Sequence, residues 1–171
     1  MHTATVGIAE QRGGKNLVES GMVLPTTKTF SPMEAADTIR NYIDKFLTCR
    51  PCREHFLETY DDCENNRRCD RLAEDLDEAT TADWKELPLW LWEVHNDVSV
   101  RVAREKVESI YVKGVRRKAT TADEVKAMWP NVDNCILSFH DDGTWNEGEL
   151  FHFLERIYWP GSEVDPMQDK L

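Results

Sequence analysis

Two cysteines with two residues between them, in Cys49-Arg50-Pro51-Cys52, are the part of this sequence best suited to chemistry. Sulfurs at that spacing close a small disulfide ring or share a metal ion. In thiol chemistry the attacking species is the thiolate, which cations such as Arg50 and Arg53 favour. The other three cysteines are Cys63, Cys69 and Cys135. A four-thiolate zinc site would have the form Cys-x2-Cys-x10-Cys-x5-Cys, whose second spacing is wider than zinc sites use. Spacing alone therefore leaves a redox pair, a structural disulfide and a metal site all open. His55 follows Cys52 by three positions, so on a helix the two share a face. An isolated histidine there is usually a packed or capping residue, but beside a redox pair it can line a cofactor pocket.

A second constellation lies in Trp90-Leu91-Trp92-Glu93-Val94-His95-Asn96. On a helix, Trp92, His95 and Ser99 fall within about 60° of one another, with Pro88 and Lys106 on nearly the same side. Glu93, Asp97, Arg101, Arg104 and Glu105 take the opposite side, where Asp97–Arg101 and Arg101–Glu105 stand at pairing distance. An indole, an imidazole and a hydroxyl occupy a face where a core prefers leucine. Polar-tipped core residues account for such a stripe, and a planar aromatic ligand accounts for it better.

Helices must position these groups. Ser31-Pro32-Met33-Glu34 predicts a capping box, and Ile39, Tyr42, Ile43, Phe46 and Leu47 continue at helical spacing into Cys49. Asp83-Trp84-Lys85-Glu86 predicts the start of a long helix ending near Glu108. Thr144-Trp145-Asn146-Glu147 predicts a last helix carrying Leu150, Phe151, Leu154, Ile157 and Tyr158, stopped by Trp159-Pro160-Gly161. Residues 10–30 have no period and read as a mobile loop or insertion. Strand alternation is confined to Ile110-Tyr111-Val112. The expected fold class is all-α, a bundle of four or five helices in one domain over 1–160 with a polar tail at 161–171.

Composition bounds the function. With 32 acidic against 21 basic residues the net charge is −11, which argues against nucleic-acid binding. The longest apolar stretches are too short to span a bilayer. No Gly-x-Gly-x-x-Gly follows a strand, so a nucleotide cofactor would have to sit among helices. Cys63 and Cys69 bracket a short polar loop and are expected to pair, leaving Cys135 as a free thiol.

The order of these motifs resembles the Erv/ALR sulfhydryl oxidases from Met1 to roughly Tyr158, nearest to the oxidase end of the quiescin branch. The resemblance rests on His2-Thr3, on Phe46-Leu47-Thr48-Cys49-Arg50-Pro51-Cys52-Arg53-Glu54-His55-Phe56 and on Trp90 to Ser99. Lys126-Ala127-Met128-Trp129-Pro130 ahead of Cys135, and Trp145-Asn146-Glu147-Gly148 with Phe153-Leu154, add to it. It implies a helical FAD-binding fold in which Cys49 and Cys52 are catalytic, Cys52 lying against the flavin and Cys49 exchanging with the incoming dithiol. It implies FAD contacts from His2, His55, Trp92, His95, Asn96, Ser99, Lys126 and Trp129. The implied reaction oxidises protein or small dithiols to disulfides and passes the electrons through flavin to molecular oxygen, giving hydrogen peroxide.

Three departures accompany the likeness. Ser99 stands where the family usually has asparagine, and Ser138 stands where the quiescin branch has the second cysteine of a pair with Cys135. The first helix reads as cut before the tryptophan that normally precedes His2, so the N-terminus is expected to be truncated. An upstream thioredoxin-like domain and a homodimer are further implications, and the expected compartment is the secretory pathway (endoplasmic reticulum, Golgi or extracellular) or else the mitochondrial intermembrane space. Two other readings compete: a flavin-free thiol–disulfide exchanger, and a non-catalytic zinc-binding interaction module built on Cys49, Cys52, Cys63 and Cys69.

Overall fold

Four of the eight α-helices among the described residues begin on a side-chain cap written in the sequence. The computed structural model describes residues 1–62, 68–131, 134–140 and 142–159. In chain order the elements are α1 (His2–Glu10), α2 (Lys15–Glu19), α3 (Pro32–Phe46), α4 (Arg50–Asp61), α5 (Arg68–Arg71), α6 (Thr81–Glu108), a hairpin of β1 (Tyr111–Val112) and β2 (Val115–Arg116), α7 (Thr121–Val125) and α8 (Glu147–Tyr158). The all-α bundle expected from the sequence is the fold.

Ser31 and Glu34 form the reciprocal capping box of α3, each side chain accepting from the other's backbone N–H. Thr80 with Asp83 does the same for α6, and Thr120 with Asp123 for the unforeseen α7. The long helix therefore starts two residues before the expected Asp83, which is its third residue rather than its cap. Helix α8 starts later than expected. The Thr144 hydroxyl and N–H are both consumed by the Asp142 carboxylate, so Asn146 accepts from Glu149 N and caps instead. Such a cap contributes about 1 kcal/mol.

Residues 10–30 are not a structureless loop. They hold a 3-10 turn at Arg12–Gly14 and then α2, which an ion pair from Lys15 to Asp77 at 2.9 Å ties to the segment before α6. The chain returns to this turn at Phe30, whose N–H donates to the Gly13 carbonyl at 3.0 Å. The hairpin after α6 is tight, with Lys113 and Gly114 both at positive φ (53° and 78°), as a two-residue primed turn requires.

The core lies on both sides of the first half of α6. Leu87, Trp90, Leu91 and Val94 pack with Met33, Ala35, Ala36, Tyr60 and Leu72 on one side. Trp84, Leu89 and Trp92 pack with Val6, Ala9, Leu150, Phe151 and Leu154 on the other. Helices α1 and α8 thus lie along one flank of α6, and α3 and α4 along the other. Arg71 of α5 donates to Glu86 and Glu93 of α6, fixing that short helix beside the long one. Among the described residues no helix is long and apolar enough to cross a membrane.

Gly13 is the tightest point of this packing. At φ +65° a Cβ there would sit 1.8 Å from the Phe30 carbonyl oxygen and 2.9 Å from the Trp84 ring. At Gly21, φ +71°, a Cβ would meet nothing within 4 Å. Gly13→Ala should therefore cost well over 2 kcal/mol, against about 1 kcal/mol for Gly21→Ala, which carries only left-handed strain. Urea unfolding of the two variants checks the difference. Equal midpoints would mean that the Gly13–Phe30 contact does not constrain the fold.

Candidate active site

Leu47, Thr48 and Cys49 leave α3 and turn the chain into α4, whose N-cap is Cys49 itself. Pro51 is tolerated because a first-turn residue has no intrahelical bond to donate. Cys49 and Cys52 are joined in a disulfide with 5.3 Å between their Cα atoms, and both residues are exposed. The positive end of α4 favours a thiolate on either sulfur once the bond is reduced. Arg50 spends its charge on Glu54 at 2.7 Å, while Arg53 donates to the Leu47 carbonyl at 3.3 Å. Cys69 is also disulfide-bonded; its expected partner Cys63 lies outside the described residues. Cys135 is a buried free thiol whose Sγ touches the Ser138 Oγ. With Cys49, Cys52 and Cys69 all in disulfides, the zinc reading loses its thiolates.

Phe56 follows Cys52 by one helical turn, on the same face of α4. It walls a cleft of about 300 Å³ together with Ile43 of α3, His2 of α1 and Leu91, Val94, His95 and Val98 of α6. Two histidines are the polar groups of an otherwise apolar wall. Their facing nitrogens, His2 Nε2 and His95 Nδ1, are 3.1 Å apart, and the rings stack with centroids 5.3 Å apart. Tyr158 stacks near His2 as well, at 5.2 Å. Burial, then the neighbouring His95 and the terminal ammonium, hold the His2 pKa down to about 4, so this ring is neutral at pH 7. Its other nitrogen, Nδ1, is buried with no hydrogen-bond partner. A buried polar atom left in that state is costly unless a ligand or water answers it.

A second group of expected residues forms a frame beside the cleft. Asn96 Nδ2 donates to the Trp129 carbonyl at 2.8 Å, and Trp129 N donates to Asn96 Oδ1 at 2.9 Å. Trp92 Nε1 donates to the same carbonyl, while its ring meets Trp145 edge-on at 4.7 Å between centroids. Three hydrogen bonds thus hold Trp129 against α6, which places its ring 6.4 Å from that of His2.

The stripe expected from the sequence is therefore split. His95 shares the cleft with Leu91, Val94 and Val98, whereas Trp92 turns into the core on the other flank and Ser99 Oγ donates back to the His95 carbonyl at 3.0 Å. His55 is exposed beside Glu58, and Lys126 is exposed at the end of α7; neither of them nor Ser99 belongs to the cleft wall. The apolar wall residues were legible only as core, because nothing in Leu91, Val94 or Val98 distinguishes a lined cavity from a packed one. The residues present do fit a flavin. Flat aromatic surfaces, apolar walls and a buried unanswered nitrogen are what a planar heterocycle with polar edges requires. The cleft is small for FAD as a whole, being at the low end of the volumes that small-molecule sites occupy.

The model of the Erv1 / Alr family matches residues 1–129. The chain is 30% identical over 138 residues to "Sulfhydryl oxidase 2" of Mus musculus, covering 78% of this chain and 16% of that protein. It is 29% identical over 129 residues to "Sulfhydryl oxidase 1" of Oryza sativa subsp. japonica, covering 71% of this chain and 20% of that protein. The chain spans less than a quarter of the length of either relative.

The depressed pKa of His2 has a consequence for stability. Its folded value is about 4 and its ordinary value 6.5, so between them the unfolded chain binds more protons. Stability is then fully present above pH 6.5 and falls as the pH drops towards 4, by roughly 2–3 kcal/mol from this group. His2→Phe should remove that part of the acid sensitivity, read as a smaller change in the urea midpoint between pH 7 and pH 4. An unchanged pH dependence would mean that His2 is not held neutral.

Proposed function

This chain belongs to the Erv1 / Alr family, and we propose on that premise that it is an FAD-dependent thiol oxidase acting through Cys49 and Cys52. The observation that carries the reading is the exposed disulfide at the start of α4, on a helix that one turn later walls the histidine cleft. The names of the two relatives, both sulfhydryl oxidases, agree with it.

A substrate thiolate attacks Cys49 Sγ, the Cys49–Cys52 bond breaks, and Cys52 departs as a thiolate steadied by the α4 N-terminus. The second substrate thiolate then attacks the substrate sulfur of the mixed disulfide and releases Cys49. The dithiol loses two electrons and two protons, and the cysteine pair gains them. Cys49 is the outer sulfur because it lies at the exposed α3–α4 junction, whereas Cys52 shares a helix face with Phe56 of the cleft. The chemistry that FAD supplies when bound is acceptance of that electron pair and its delivery to molecular oxygen, giving hydrogen peroxide.

Leu91, Val94, Val98 and Ile43 keep water from the cleft. His2 and His95 offer polar edges without adding charge at neutral pH in the case of His2. Trp92, Asn96 and Trp129 would set the wall's shape for FAD, and His55, Ser99 and Lys126 would hold it from outside the cleft wall. The substrates are protein or small dithiols. An oxidising compartment follows, the secretory pathway first and the mitochondrial intermembrane space second. An upstream thioredoxin-like domain and a homodimer belong to the same proposal.

The purified protein should be yellow, and Cys52→Ser should retain the flavin while abolishing dithiol-driven oxygen uptake. A colourless protein that still exchanges disulfides would favour the flavin-free exchanger. His95→Ala tests the cleft itself. FAD at a hundredfold over its Kd stabilises a protein that binds it by about 2.7 kcal/mol, so the wild-type unfolding midpoint should rise across an FAD titration. The variant's midpoint should rise far less over the same range; an equally steep rise would show that His95 does not touch the cofactor.

A further inference from the structure

The last two turns of α3 present an aromatic pair that neither the core nor the cleft uses. Tyr42 and Phe46, one turn apart, stack with centroids 5.0 Å apart and stay 59% and 68% exposed. Ile43, between them in sequence, is turned inward to the cleft wall. Large exposed apolar rings held against each other mark a contact surface more than solvent-tolerant decoration. Three Cα–Cα steps separate Phe46 from Cys49, a reach of at most about 11 Å.

The ions around this spot do not ask for a charged partner. Asp44 is met by Lys45 at 2.9 Å and Arg40 at 3.9 Å, and Arg50 is met by Glu54. Selection there falls to apolar contact. Two rings cannot hold a second folded copy, since aromatic side chains bury about 150–250 Å² each at most, and a stable interface needs roughly 800 Å² per partner. They are enough for one side chain of an extended segment.

Resting on the thiol-oxidase reading, we propose that Tyr42 and Phe46 dock an extended, cysteine-bearing polypeptide segment through an apolar side chain three or four residues from its cysteine. An extended chain rises about 3.3 Å per residue, so that spacing places the substrate sulfur at Cys49 while the apolar side chain lies on the rings. The pair is already stacked, so little side-chain freedom is lost on binding. Polypeptide dithiols are thereby preferred over small ones.

The test uses the whole chain carrying Cys52→Ser, in which Cys49 is a free thiol and neither flavin nor oxygen enters. Cys49 thiolate attacks the peptide sulfur of a peptide–thionitrobenzoate disulfide, the S–S bond breaks, and the coloured aryl thiolate leaves. Peptides with leucine or serine three residues from the cysteine are compared with the cystamine-derived reagent. Expected is a faster reaction with the leucine peptide, slowed about tenfold by Tyr42→Ala with Phe46→Ala, largely kept by Phe46→Leu, and no change for the small reagent. Equal slowing of all three reagents, no slowing of the leucine peptide, or self-association lost on Phe46→Ala would overturn the proposal. Failure of the oxidase reading registers separately, as absent flavin and absent oxygen uptake in the unsubstituted chain.

Discussion

Residues 84–94 of the long helix are buried on two opposite flanks at once, and the positions of all other groups follow from that burial. A helix wanted on both sides must have partners on both, here α1 with α8 and α3 with α4. Trp90, fully buried, and Trp92, nearly so, anchor the two flanks; truncating such a ring typically costs about 3–5 kcal/mol. Where the double burial ends, near Val94, the two flanking layers part. The cleft opens at that point, lined by His2 from one layer, by Ile43 and Phe56 from the other and by Leu91, Val94, His95 and Val98 of α6.

The disulfide owes its place to the same arrangement. Helix α4 must present Tyr60 to the core, where its ring meets Trp90 edge-on and its hydroxyl donates to Asp37. Once Tyr60 is fixed, Phe56 one turn earlier faces the cleft, and Cys52 one turn earlier still points along the same side. Burial of one tyrosine thereby sets Cys52 one turn before a residue of the cleft wall, on the same helix face. The first turn of α4 then adds the electrostatic bias that a leaving thiolate needs.

The histidine pair departs from the rules that a packed core follows. His2 is buried, kept neutral and left with an unanswered nitrogen. In a purely structural core this would be a defect, and leucine would serve better. The three hydrogen bonds that clamp the Trp129 backbone to Trp92 and Asn96 are by contrast fully satisfied, and they carry no sign of a missing partner. Satisfied polar groups frame the opening, and the unsatisfied one is buried in a ring that lines it.

Much of this was present in the sequence because it depends on neighbours along the chain. Ser31 with Glu34, the apolar period of α3, the long span of α6 and the close spacing of Cys49 and Cys52 are local facts. A local cap could still be misassigned where two candidates competed, as Thr144 and Asn146 did once Asp142 claimed the threonine. Of the eight cofactor contacts that the resemblance implied, His2 and His95 line the cleft, Trp92, Asn96 and Trp129 form the frame beside it, and His55, Ser99 and Lys126 lie off its wall. What spacing could not decide was the side to which each residue of α6 turns. Trp92 and His95 lie only 60° apart on the helix, yet one enters a core and the other a cleft. That difference depends on which helix packs against each, so only the tertiary structure settles it. The same holds for Gly13, whose necessity comes from Phe30 arriving 17 residues later, and for Leu91, Val94 and Val98, which read as plain core until the space before them is seen.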